Sequence, residues 1–124
     1  MQQQATQAYQ QTGRQTATPR DLEANLLSMS AAHLQRVRDG WADGHAGLVP
    51  ALHFNRKLWN VFLTSVTGSE TTLPHDLREN VANLGLFVMK HTLQIEIAPA
   101  AQKLDVLINI NRQLALGLRA SPAA

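Results

Sequence analysis

At 124 residues, with 44% hydrophobic and 16% charged side chains, the chain has enough apolar material for one core and too little length for two. It holds no cysteine, which removes a disulfide framework, a thiolate nucleophile and any Cys-ligated metal site. Eleven Lys and Arg against nine Asp and Glu leave +2, too small an excess to imply nucleic acid. No apolar run reaches the roughly 20 residues that span a bilayer, and the start lacks the apolar core of a secretory signal, so a cytoplasmic protein is expected. The charged fraction lies below the usual ~25%, which predicts a surface richer than normal in apolar side chains and suits an interaction protein.

Residues 1–17 hold seven glutamines, and only Ala5, Ala8 and Tyr9 suggest a stripe, which predicts a short N-terminal helical arm ending near Gly13. Thr18, Pro19 and Asp21 then read as the N-cap, first helical position and first-turn acid of a helix. That helix should end near Asp39 and Gly40, with Leu22, Leu26, Met29, His33 and Val37 along one side. Gly40, Gly44 and Gly47 around Trp41, Asp43 and His45 are turn chemistry. The next helix is predicted from Leu48 to Val66, with Pro50 tolerated in its first turn, and a polar loop follows to Leu73.

Pro74, His75 and Asp76 open a long helix that stays periodic to about Ala98, where Pro99 breaks it, and a last helix covers roughly Ala101 to Arg119. No strand-like alternation persists. The fold class is therefore all-α, an antiparallel bundle of about four main helices plus the short arm. Three regions follow: a Gln-rich arm at 1–17, one bundle domain at 18–120, and a disordered tail at 121–124. At 100° per residue the long helix carries Leu77, Val81, Leu84, Val88, His91 and Ile95 on one side and Ala82, Leu86, Met89, Leu93 and Ile97 on the other. A helix apolar on two faces in so small a bundle predicts one face left open as a groove.

Two amides fall inside apolar stripes: Asn55 among Leu52, Trp59, Phe62 and Val66, and Asn111 among Leu107, Ile108, Leu114 and Leu118. An unmet amide in such surroundings costs roughly 1–3 kcal/mol, so both need partners. Either they bond to each other, a loop or buried water and set helix register, or they face the groove and meet the backbone of a bound segment. The five histidines show no metal-ligand spacing, and Asp39, Asp43 and His45 lack the pattern of a calcium loop. No nucleophile, acid pair or phosphate loop has motif support. No enzyme, no metal and no cofactor are expected; Arg36, Arg38, Arg56 and Lys57 without interleaved aromatics make direct RNA contact a minor alternative.

Asn55–Trp59 (NRKLW), Leu73-Pro74 with Leu77-Arg78, Asn80–Phe87 (NVANLGLF), and Ile108–Arg112 (ININR) with Gly117-Leu118, in that order, resemble the FlaF family of small flagellar biosynthesis proteins of alphaproteobacteria. Tyr9 and the Thr18–Arg20 region extend the likeness over almost the whole chain. The resemblance implies a non-enzymatic protein that binds flagellin as a secretion chaperone and promotes flagellin production with FlbT. The alternatives are a post-transcriptional regulator acting on flagellin mRNA directly or through FlbT, and an adaptor joining FlbT to flagellin. In the groove-binding reading, a terminal helix of flagellin lies on the open face. Trp59, Phe62, Leu86, Phe87 and Met89 are then the expected anchors, Asn55, Asn83 and Asn111 set register, and Arg56 or Arg112 pairs with client acids.

Overall fold

The computed structural model describes residues 19–68, 71 and 73–120; the expected arm at 1–17, the Thr18 cap and the tail at 121–124 lie outside them. Four helices, α1 (Pro19–Asp39), α2 (Leu48–Thr67), α3 (His75–Ile97) and α4 (Lys103–Ala120), form an all-α bundle with no strand among the described residues. Each boundary has a local cause. Pro19 occupies the first turn of α1, and Gly44, at φ +110°, lets the chain reverse after a short 3₁₀ turn at Trp41–Asp43. Pro74 precedes α3 and Pro99 follows it. The last helix starts two residues later than expected. The amides of Lys103, Leu104 and Asp105 bond carbonyls three residues back, so Ala101 and Gln102 form a tight turn instead of a first α turn.

Helix α1 packs most extensively on α4 and also on α2; α2 packs on α3, while α3 touches α4 only lightly. The side of α1 that faces the core is Ala24, Leu27, Ser30, Ala31 and Leu34. This corrects the predicted stripe: Leu22, Leu26 and Met29 are exposed, and His33 and Val37 are half-buried. Alanines at 24 and 31 admit a close neighbouring helix, and that approach places the small residues inside at the expense of the large ones. Three arginines tie the α1–α4 seam: Arg119 to Asn25 and Ser28, Arg112 to Gln35, and Arg38 to Asp105 at 2.9 Å. Such exposed links each contribute little. Half-burial pushes the Glu23 carboxyl above its ordinary range, against the opposing attraction of Arg20.

Where α2 meets α3, Gly85 makes room for Leu63: a Cβ at position 85 would stand 2.8 Å from Leu63 Cγ. Overpacking costs ~1–3 kcal/mol and the better helix propensity of alanine returns ~1 kcal/mol, so Gly85→Ala should lose about 1 kcal/mol net. In urea unfolding, the same substitution made on a Leu63→Ala background should cost nothing or stabilise. Additive losses would show that the close approach is immaterial.

Candidate interaction surface

The centre of the bundle is a chain of polar side chains. Trp59 Nε1 donates to Asn111 Oδ1 at 3.0 Å, Asn111 Nδ2 donates to Asn55 Oδ1 at 2.8 Å, and Ser30 Oγ donates to the same Oδ1 at 2.8 Å. All four residues are fully buried, and the chain links α1, α2 and α4. Asn55 Nδ2 is buried without a partner, a cost of ~1–3 kcal/mol that the surrounding packing offsets. Phe62, also buried, meets the Trp59 ring edge-on at 5.8 Å.

These positions settle which of the ten expected contact residues lie at a surface. Asn55, Trp59, Phe62 and Asn111 do not: hydrogen bonds and ring packing among them hold all four inside the bundle, which corrects their expected place on an open face. Arg112 is exposed on the α1 side of α4, where it donates to Gln35. Phe87 is exposed and stacks on His91 at 5.2 Å; His91 Nε2 in turn donates to the carbonyl of Lys103, so this pair marks the α4-facing flank. Arg56 is half-buried and ion-pairs with Glu96 across the α2–α3 seam. Leu86 is exposed, Met89 is half-buried against the core, and Asn83 is exposed one turn before Leu86.

What remains is a surface along the α2-facing flank of α3. Leu86, Leu93 and Ile97 are 61%, 54% and 82% exposed, at helical spacing on one side. Met89 lies between this stripe and the core, and Gly85 and Glu96, which meet Leu63 and Arg56, show that α2 adjoins the same flank. Large apolar side chains lined up in this way mark an interaction site more often than an ordinary solvated face. Leu93 and Ile97 were legible as members of the second apolar face but were not singled out as contacts. Exposed Val49, at the start of α2, was missed because one valine in a first turn gives no periodic signal.

Among the described residues no three His, Asp or Glu come together as a metal site would require, and no helix is long and apolar enough to cross a membrane. His33 rests edge-on against Phe54, and Trp41 stacks on His45, which accounts for two of the aromatic pairs without a ligand. A family model described as flagellar protein FlaF matches residues 5–118. No curated protein and no solved structure matches the chain.

Proposed function

The chain belongs to the FlaF family of flagellar proteins, and from that membership we propose that it acts without catalysis, as a cytoplasmic carrier of flagellin. A terminal helix of flagellin lays its apolar side on the exposed stripe of α3 and is kept from polymerising until export. In partnership with FlbT this promotes flagellin synthesis and secretion. The observation that supports the reading is the row of Leu86, Leu93 and Ile97, left uncovered on a helix whose other side already fills the core. Each leucine buried by a client contributes roughly 1.5–3 kcal/mol before ordering costs, enough for a complex that can still release its cargo.

The test is titration of flagellin monomer with the parent protein and with the Leu86→Asp/Leu93→Asp double variant. Both positions are exposed, so the melting temperature should stay within about 2 °C of the parent while affinity falls at least ~tenfold. Parent-like affinity in the double variant would remove the α3 face from the binding site. The alternative, control of flagellin mRNA directly or through FlbT without flagellin binding, draws on the exposed Lys57 and Lys90. Tight, steeply salt-dependent binding to the flagellin leader RNA with indifference to flagellin would establish it instead.

A further inference from the structure

At the end of the α3 stripe lies a cavity of about 370 Å³, formed where the first two turns of α2 meet the end of α3. Leu48, Val49, Leu52 and Pro99 supply its apolar lining, and the Arg56–Glu96 ion pair forms part of its wall. None of Leu86, Leu93 and Ile97 lines it, but Glu96, which does, also pairs with Arg56 across the α2–α3 seam that the stripe borders, so stripe and cavity share that seam. From Leu86 to Ile97 the stripe rises about 16 Å, three helical turns, and the cavity lies at the Ile97 end of that rise, beside Glu96 and Pro99.

The charges along the track are one-sided. Lys90 lies between Leu86 and Leu93 in the sequence, Lys57 lies on the outer face of α2, and both are exposed with no ion pair among the described residues. The nearby acid, Glu96, is neutralised by Arg56, and the other acids of α3, Asp76 and Glu79, stand in its first two turns, before the stripe begins. A second copy of this chain is a poor occupant: pairing α3 antiparallel with itself so that Leu86 meets Leu93 brings two Lys90 ammonium groups beside the twofold axis.

We infer that the α2–α3 seam receives an amphipathic helix whose apolar stripe is flanked by carboxylates and whose end places one large apolar side chain in the cavity beneath Val49. The inference rests on the client-helix reading above and specifies the chemistry of the client. The apolar track supplies affinity, the socket fixes where along the track the helix stops, and Lys57 and Lys90 select acidic flanks over basic ones.

The experiment uses the full chain and two synthetic helical peptides of about 20 residues. They share one leucine stripe ending in a phenylalanine and differ in carrying glutamates or lysines beside it. Fluorescence anisotropy should show the glutamate peptide binding at least ~tenfold more tightly than the lysine peptide, and Lys90→Glu should narrow or reverse that preference. Val49→Phe, at an exposed position, should fill the socket and weaken the glutamate peptide and flagellin ~tenfold with unchanged melting. Equal affinity for both peptides, or parent-like binding by Val49→Phe, would overturn the inference. The Leu86→Asp/Leu93→Asp variant separates the two failures. If it loses flagellin while Val49→Phe and Lys90→Glu do not, the face stands and the socket and charge selection fall; if it keeps flagellin, the face itself falls.

Discussion

Trp59→Ala should abolish the cooperative melting of this protein or lower its midpoint by about 12–19 °C. The indole is fully buried, packs edge-on against Phe62 and donates to Asn111 across the bundle. Removing a buried tryptophan costs ~3–5 kcal/mol, against the 5–15 kcal/mol that a domain of this size commonly has in total. Trp59→Phe is the gentler comparison, because it keeps most of the packing and leaves only Asn111 Oδ1 without its donor, a loss of ~1–3 kcal/mol. Differential scanning calorimetry and far-UV circular dichroism report both. A Trp59→Ala protein that melts like its parent yet fails to bind flagellin would contradict the buried placement and return this residue to the contact surface.

The second large effect is expected at Asn111. Asn111→Ala strands the Trp59 N–H, removes the donor to Asn55 Oδ1 and opens a small void between α2 and α4. The unmet donor alone costs ~1–3 kcal/mol, and with the void the loss should reach ~2–4 kcal/mol by urea unfolding. The loss should not be additive with Trp59→Phe, since both substitutions break the same hydrogen bond. Replacing Ser30, Asn55, Trp59 and Asn111 together by apolar groups of similar shape should cost far less than the sum of the single losses, because no polar atom is then left unmet. If the singles proved as mild as surface substitutions, the chain of bonds would be incidental to stability.

The helix boundaries were legible because prolines and glycines punctuate this sequence at Pro19, Gly40 to Gly47, Pro74 and Pro99, and these act through backbone dihedrals alone. The two-sided α3 was legible for a related reason: Leu86, Leu93 and Ile97 cannot turn inward while Val81, Val88 and Ile95 do. Side-chain roles that depend on another helix were not. Whether Asn55 faced a client or the core depended on Ser30 and Asn111, 25 and 56 residues away along the chain. The rotation of α1 was misread because Leu22, Leu26 and Met29 outweigh Ala24 and Ala31 in any count of apolar size, whereas close packing against α4 favours the smaller side chains. Trp59 and Phe62 look alike as core residues or as anchors, since burial within the chain and burial under a partner ask for the same side chains.

The pairing of α1 with α4 also bears on synthesis. During translation α1, α2 and α3 emerge first, yet the principal neighbour of α1 and the acceptor for Trp59 both belong to α4, from Lys103 to Ala120. A nascent chain halted near Pro99 therefore exposes Ala24, Leu27 and Leu34 to water and leaves the central indole N–H unanswered. The bundle closes only once Lys103–Ala120 has been made and released from the tunnel, and ribosome-bound intermediates stalled before Leu104 should be cut readily by protease, whereas the released protein should resist.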